Sequence, residues 1–549
     1  MYKSSFFETI LVFLVTSSVA FYSCDKDKTK PEIPKVPEIP SYLEIPQTAA
    51  EANALVNGVY GPLQTLSSSY SFLLESATET TISFEGNDNA AGPLISVLDI
   101  TPANSYAIKL FNAFYRSIGT ANLAIESIAF SELNDEVKDL LIARARFIRG
   151  FSYFQLVQLY GEVPLILSSD PEEIAATGTT RRSIDEVYAQ VVDDLTESLA
   201  GLPEWDAQKS NPSQLAAKTI LAKAYLTWGQ KPLTQAEVEA IETSKTDPAK
   251  PAIDEAKLQQ SLALANEVIN SGRYSLLPNF NDIWGVANEN NAEVIFSIHH
   301  LGDGIDAQGN HQTHCGYTYP GDERRDPHIS YADISYENVM PDNDRRKEYS
   351  YVTLVEFENP LVKDTVTWPL SIVRPGKWIH RNAAGLALTS QPNNIDHIDF
   401  RLGEVYLIKA EAAFFLGNTT EALQAINALR SRAGVTHRTS LTVEDLYNEW
   451  EAELAHEQKH WLNLVRWRTY LSTVLTKVPT FEYYKDAYAN EAQFNALPDA
   501  DPDRFAFYQR VNLHLHKKVE NIRGHHYRFP IPLGTGNVDL GIRPQNPGY

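Results

Sequence analysis

The sequence predicts a mainly α-helical fold of tetratricopeptide-like stacked helix pairs, with a loop-rich insertion carrying a few short strands. Apolar residues recur at helical spacing along most of the chain, and alanines recur where paired helices must approach closely. Between about residues 280 and 400 this pattern gives way to loop-rich sequence dense in Tyr, His, Asp, Pro and Trp. A chain of 549 residues exceeds what one compact core usually supports, which also favours a stacked array.

The helices are predicted in chain order from apolar spacing and end signals. Asn134 can cap a helix with an acidic first turn, and this helix continues until Gly161. Ser183 and Glu186 form a capping box for its partner, which runs to about Leu199. Further helices are predicted over 52–66, 106–128, 214–228, 255–270, 401–416 and 419–432, with crossing alanines at Ala216, Ala217, Ala222, Ala224, Ala410, Ala412 and Ala413.

The insertion begins with a segment that favours a strand. Residues 293–298 combine β-branched and aromatic residues and predict a short buried strand. Loops held on a rigid frame are where binding residues concentrate, so we expect ligand binding in this insertion.

The first 47 residues predict export and tethering. Lys3 precedes a mostly apolar stretch over 6–21, which suits a signal peptide better than a membrane span, and Cys24 follows. This arrangement resembles a bacterial lipoprotein signal, which predicts a signal peptide over 1–23 and lipid attachment at Cys24; an ordinary secretory signal is the alternative. Prolines in the segment 24–47 predict an extended tether before a folded body over 48–549, and they are Pro31, Pro34, Pro37, Pro40 and Pro46.

Composition excludes several classes of protein. The chain has 47 Lys and Arg against 70 Asp and Glu, a net charge of −23, which argues against non-specific nucleic-acid binding. Two cysteines exclude a disulfide scaffold and a cysteine-rich zinc module. If Cys24 carries lipid, Cys315 is left as a single thiol in the mature chain.

Several segments carry, in chain order, a resemblance to a known family. The most distinctive is a helix and its exit over 144–165; the others are 222–226, 265–269, 401–412, 426–434, 453–457, 461–467, 530–532 and 545–549. In these segments, and in its lipoprotein-like start, the chain resembles the SusD/RagB-like outer-membrane nutrient-binding lipoproteins.

The resemblance implies both a function and a partner. It implies a lipid-anchored protein on the extracellular face of the outer membrane that captures oligosaccharides for polysaccharide utilisation. It further implies a role as the lid of a SusC-like TonB-dependent β-barrel transporter, without catalytic residues or a cofactor. Oligopeptide ligands with the same lid role are the alternative, and a bound calcium ion is left open.

One motif points to a different chemistry. His456, Glu457 and His460 fit the H-E-x-x-H zinc-protease pattern, and in the helical segment begun by Thr442 and Asp445 both histidines would share one face. A third ligand is missing from the pattern. In the family resemblance His460 stands where relatives carry Arg, so a zinc metallopeptidase is a minor alternative.

Two further groups suggest metal binding less strongly. His311, His314 and Cys315 lie near His299 and His300, but adjacent His314 and Cys315 are poorly placed to share one tetrahedral ion. The segment 342–344 lacks the Gly and distal Glu of a calcium loop, and its Asp344-Arg345 resembles a structural Asp–Arg pair of the family. We expect hydrogen-bonding and structural roles for these residues.

A glycan site needs aromatic faces and planar polar partners. Sugar C–H faces stack on aromatic rings, while Asp and Asn hydrogen-bond to paired hydroxyls. Two loop regions, 79–89 and 311–378, supply such side chains. The predicted ligand-binding residues are Phe84, Asn87, Asp88, Asn89, Tyr317, Tyr319, Trp368 and Trp378.

Overall fold

Helices form most of the secondary structure. The computed structural model describes residues 39–83, 91–301, 330–331, 340–358, 363–377, 379, 381, 385–387, 394–478, 513–534 and 539–549. The α-helices are α1 (Ala49–Gly58), α2 (Leu66–Tyr70), α3 (Ala91–Ser96), α4 (Ser105–Ala129), α5 (Asp135–Tyr160), α6 (Pro171–Thr177), α7 (Ile184–Ser198), α8 (Gln214–Gly229), α9 (Gln235–Ala240), α10 (Glu255–Asn270), α11 (Arg345–Ser350), α12 (Leu402–Phe415), α13 (Thr419–Ala433), α14 (Val443–Leu454), α15 (His460–Trp467), α16 (Tyr470–Lys477) and α17 (513–521).

The strands of the described residues form four two-stranded antiparallel sheets. The pairs are β1 (Thr81–Ile82) with β5 (Ser330–Tyr331), β2 (Val163–Pro164) with β3 (Arg181–Arg182), β4 (Val294–Ile298) with β8 (His397–Arg401), and β6 (Tyr351–Glu358) with β7 (Thr365–Pro375). All five residues of β4 are buried, which confirms the strand predicted over 293–298.

The helices pack as a stacked array. Helix α4 packs against α5, α5 against α7, α7 against α8, α8 against α10, α10 against α12, and α12 against α13. Every predicted crossing alanine is fully buried. Ser261 on α10 donates a hydrogen bond to the carbonyl of Ala222 on α8 at 2.7 Å, so the small residue does permit a close approach. The predicted frame of stacked helix pairs is confirmed.

The predicted helix ends are also confirmed. The Asn134 side chain accepts a hydrogen bond from the Val137 amide at 2.9 Å at the start of α5. Ser183 and Glu186 form both bonds of the capping box of α7. Helix α5 ends at Gly161, which has a positive φ of 74° that suits glycine.

Three features differ from the prediction or were not predicted. The helix predicted over 52–66 ends at Gly58 and continues as a 3-10 turn over Gly61–Thr65, because Pro62 lacks an amide hydrogen. The polar insertion after α8 contains α9, which starts with a capping box between Thr234 and Glu237. The hairpin β6–β7 is longer than the short strands expected, since one of its faces packs in a small core of its own.

The main core is continuous along the helical array. It includes buried residues from α1 to the C-terminal segment, and smaller clusters lie under the hairpin β6–β7 and beside β4. Among the helices described, none combines the length and the apolar character needed to cross a membrane.

Candidate functional site

Most of the predicted binding residues lie outside the part of the chain that the structure describes. Trp368 is on β7, where its backbone pairs with Val355 of β6. The residues outside the described ranges are Cys24, Phe84, Asn87, Asp88, Asn89, His311, His314, Cys315, Tyr317, Tyr319 and Trp378. Their predicted roles stay predictions.

A short ladder nevertheless joins the two predicted loop regions. Strand β1 directly precedes residues 84–89, and β5 lies inside the second region. Thr81 pairs with Tyr331, and Ile82 with Ser330. Strand β5 also contacts β7, which carries Trp368. The structure thus brings described strands of the two predicted loop regions to one place, which we call the loop junction (β1, β5 and β7).

A buried lysine holds the chain on the approach to the loop junction. Lys518 on α17 is fully buried, and its ammonium donates hydrogen bonds to the carbonyls of Ser76, Thr78 and Thr81. Burial lowers the pKa of Lys518 to about 7, although the charge of Glu79 opposes this shift. One side chain therefore binds three carbonyls within residues 76–81 and holds this backbone segment in place.

A second anchor is an ion-pair group around Glu79. His460 Nε2 lies 2.9 Å from Glu79 Oε1, and Lys477 lies 3.6 Å from the same carboxylate. Burial would raise the pKa of Glu79, but the charges of His460 and Lys477 together with hydrogen bonds lower it to about 2. Glu451 completes the group, 3.4 Å from Lys477. Glu79 therefore remains ionised and tied to the helical frame.

The same group has the donor types of a metal site but already contains a cation. Glu79, Glu451 and His460 offer ligand atoms within 4.8 Å of one another. The ammonium of Lys477 contacts both carboxylates, and both also pair with His460, whose pKa they raise. A structural ion-pair role therefore accounts for these residues.

The H-E-x-x-H pattern does not form a zinc-protease site, and its predicted placement on one helix is wrong. Helix α14 ends at Leu454, and His460 begins the next helix. Between them His456 and Gln458 have positive φ angles of 60° and 56°, which break the helical face. The carboxylate of Glu457 is bound by Lys377 at 2.7 Å and by Arg401, so it cannot serve as a free base.

Buried arginines connect the loop-rich insertion to the helical frame. Glu453 on α14 accepts hydrogen bonds from Arg346, Arg401 and Arg432, all of them buried. Asp344 binds Arg346 at 2.7 Å, so the expected structural Asp–Arg pair exists with Arg346 rather than with Arg345. Four segments distant in sequence are joined by this network.

The described residues also line two open cavities. One, of about 480 Å³, follows α13 and includes His437 and Arg438. The other, of about 370 Å³, lies between α10 and the turn after α12. The residues that line these two cavities include no predicted ligand-binding residue. They also include no residue of the loop junction.

The anchors of the loop junction could not be found from sequence spacing. His460 and Glu79 are 381 positions apart, and Lys518 lies about 440 positions from the carbonyls it binds. Lys518 lies in a mostly polar helix that also contains His514, His516, Lys517 and Glu520, so the sequence does not mark it as the buried charge.

Comparison with known proteins places the chain among proteins of one kind. A family model described as "SusD family" matches residues 265–549, and one described as "Starch-binding associating with outer membrane" matches residues 39–226. A "SusD-like protein" of Bacteroides ovatus is 24% identical over 404 residues, covering 69% of each chain. "SusD-like protein P2" of Formosa agariphila is 26% identical over 454 residues, covering 76% of this chain and 84% of its own.

Solved structures share the fold. A SusD homolog from Bacteroides thetaiotaomicron has a TM-score of 0.69 at 20% identity and covers 92% of this chain and 97% of its own. A "Laminarin binding SusD-like protein" has a TM-score of 0.66 at 21% identity, with 92% and 100% covered. A structure described with xylogluco-oligosaccharide has a TM-score of 0.62 at 20% identity, with 78% and 85% covered.

Proposed function

The chain belongs to the SusD family, and we propose that it is a cell-surface lipoprotein that captures oligosaccharides as the lid of a SusC-like TonB-dependent transporter. The observation that carries this proposal is the pair of family matches, which together span most of the chain from residue 39 to its last residue. We assign the chain a binding role and not a catalytic one, in keeping with similar structures that are described by the glycans they bind or contain.

Two features support a glycan as the ligand. Similar structures are described as laminarin-binding and as containing xylogluco-oligosaccharide. The loop junction joins described strands of the two loop regions in which these residues are predicted, and β7 carries Trp368. We therefore assign ligand binding to Phe84, Asn87, Asp88, Asn89, Tyr317, Tyr319, Trp368 and Trp378.

Binding assays against glycan and peptide panels test this ligand class. Purified protein should bind at least one oligosaccharide. Tyr319→Ala and Trp368→Ala should each weaken that binding about 2- to 12-fold, since a stacked aromatic contributes ~0.5–1.5 kcal/mol. Tyr42→Ala, which removes a partly exposed aromatic of the N-terminal segment, should leave it unchanged. If the protein bound peptides and no glycan, the proposed glycan ligand would be wrong and the oligopeptide alternative would be correct.

The anchor is a separate part of the proposal. We infer cleavage after residue 23, acylation of Cys24, a tether over 24–47 and exposure on the extracellular face of the outer membrane. Mass spectrometry of the membrane-extracted protein should find a lipid-modified N-terminal Cys24. A free Cys24 thiol, or cleavage elsewhere, would disprove this anchor.

The lid role predicts a stable partner. A large β-barrel protein should co-purify with the chain from detergent-solubilised outer membranes. Isolation of the chain as a free monomer under these conditions would contradict the lid role while leaving glycan binding open.

A further inference from the structure

Two carboxylates and an imidazole meet where β4 ends and β8 begins. Glu289 follows the 3-10 turn Val286–Asn288, His299 follows β4, and Asp396 precedes β8. One ligand atom of each residue lies within 4.8 Å of those of the other two. We call these three residues the β4–β8 triad.

Backbone contacts position the triad. Asp396 Oδ1 lies 2.8 Å from His299 Nδ1 and accepts a hydrogen bond from the His300 amide at 2.9 Å. The Asp396 amide in turn donates to Glu289 Oε1 at 3.2 Å. The Asp396 side chain is buried, whereas 38% of the His299 side chain is exposed, so the triad is accessible from solvent on one side.

The triad differs from the Glu79 group in its charge balance. Both sets hold two carboxylates and one histidine, but in the Glu79 group Lys477 adds a cation that contacts both carboxylates. Among the described ion pairs, by contrast, no Lys or Arg contacts Glu289 or Asp396, and His299 is the sole basic partner.

We propose that the β4–β8 triad binds one divalent transition-metal ion, with zinc as the best fit. Zinc takes histidine nitrogen and carboxylate oxygen at ~2.0–2.2 Å, which places neighbouring donors roughly 3.3 Å apart in a tetrahedron. In the triad His299 Nδ1 and Asp396 Oδ1 are 2.8 Å apart, and one ligand atom from each of the three residues lies within 4.8 Å of the other two, so small shifts would give this spacing. Calcium prefers six or more oxygen ligands, so the imidazole favours zinc over calcium.

The metal would have a structural consequence for the insertion. It would join the end of β4, the start of β8 and the 3-10 turn before β4, three points linked so far by hydrogen bonds. The fourth coordination position would be open to water or to a ligand group, since three protein ligands leave it free. All three residues of the triad are described, and zinc binding by them does not depend on whether the chain binds a glycan.

Zinc titration of the purified full chain, stripped with chelator, tests the site. Calorimetry should show one zinc ion per chain, and cobalt substitution should give the visible absorption of a four-coordinate site. His299→Ala and Glu289→Gln should each weaken binding by at least about 100-fold, as expected for loss of a direct ligand. His437→Ala removes an exposed histidine elsewhere and should leave the affinity unchanged.

Three outcomes would overturn the proposal. They are absence of zinc uptake, uptake that survives both His299→Ala and Glu289→Gln, and calcium binding tighter than zinc binding. Thermal melting of the metal-free variants shows whether they are folded. If His299→Ala fails to fold, Glu289→Gln decides the result alone.

Discussion

At the residue scale, buried charged groups occur in connected sets. Glu453 is fully buried and contacts three guanidinium groups, those of Arg346, Arg401 and Arg432. Burial would raise its pKa, but these three positive charges hold the pKa of Glu453 well below its usual range. Removing one member of such a set leaves a buried charge without its partner, which is far more unfavourable than losing a surface pair.

The substitution Glu453→Gln should therefore destabilise the protein by about 3–5 kcal/mol. Urea unfolding measures the change in the free energy of unfolding. Glu444→Gln, at an exposed position on the same helix, is the matched control and should change stability by less than about 0.5 kcal/mol. A loss below about 1 kcal/mol for Glu453→Gln would show that the network contributes little.

The pKa of Glu75 is shifted in the opposite direction to that of Glu453. It is buried and accepts a hydrogen bond from the Gln458 amide at 2.7 Å, and burial raises its pKa to about 7 from 4.5. Between pH 4.5 and 7 the folded state holds a proton on Glu75 that the unfolded state has released. The contribution of Glu75 to stability is therefore present at low pH and is lost as pH rises through 7.

Glu75→Gln retains the acceptor oxygen and removes the charge. The free energy of unfolding of the variant, relative to the natural protein, should increase between pH 5 and pH 8 by roughly 3 kcal/mol at most. Denaturant unfolding at several pH values gives this difference. A difference that stays constant over this range would mean that Glu75 does not titrate there.

At the element scale, local sequence determines where helices end. A residue distant in sequence can further limit which side chain fits at the end of a helix. Gly161 ends α5 with a φ of 74°. A Cβ atom at this position would lie 2.6 Å from Nε of Arg528, which is buried and donates to the carbonyl of Leu233. The glycine is thus required by its backbone angle and by a close contact.

Gly161→Ala should destabilise the protein by about 1–3 kcal/mol, because alanine is strained at positive φ and must displace Arg528. Gly119→Ala is the matched control, since Gly119 lies inside α4 with no atom near its missing Cβ. That control should stabilise the protein by about 0.4–1 kcal/mol through its effect on the unfolded chain. Thermal unfolding measures the stability of the two variants. Equal changes in stability of the same sign would show that neither the positive φ of Gly161 nor the contact with Arg528 matters.

At the whole-molecule scale, a strongly acidic chain is held together by ionised carboxylates in its interior. The pKa values of Glu79, Glu453 and Glu457 are lowered by neighbouring cations despite their burial. Such groups contribute stability above their unfolded pKa and lose it as pH falls towards the folded value. Burial also lowers the pKa of His526 to about 3, which acts in the same direction.

The melting temperature should therefore fall as pH decreases from about 4.5 to 2. For Glu79, whose pKa falls from 4.5 to about 2, the loss extends over this whole interval. Differential scanning calorimetry in steps of half a pH unit measures the change. A melting temperature that stays constant or rises below pH 4.5 would show that these carboxylates are not ionised in the folded protein.

The sequence by itself determined the helical frame. Helix spacing, the Asn134 cap, the Ser183 capping box and the strand over 293–298 depend on residues within a few positions, so local patterns predict them. The family resemblance rested on the same kind of local segment. The identity of the family was therefore within reach of the sequence.

Tertiary structure alone decided how the site is supported. Three contacts of this support join residues from about 100 to more than 400 positions apart. They are the pairing of β1 with β5, the hydrogen bonds of Lys518 to carbonyls within residues 76–81, and the hydrogen bond between Asp396 and Glu289. Tertiary structure also decided the fate of the motif of His456 and His460, which suggested one helix although α14 ends at Leu454 and the next helix begins at His460. Such contacts depend on how the whole array packs, and sequence spacing carries no direct information about them.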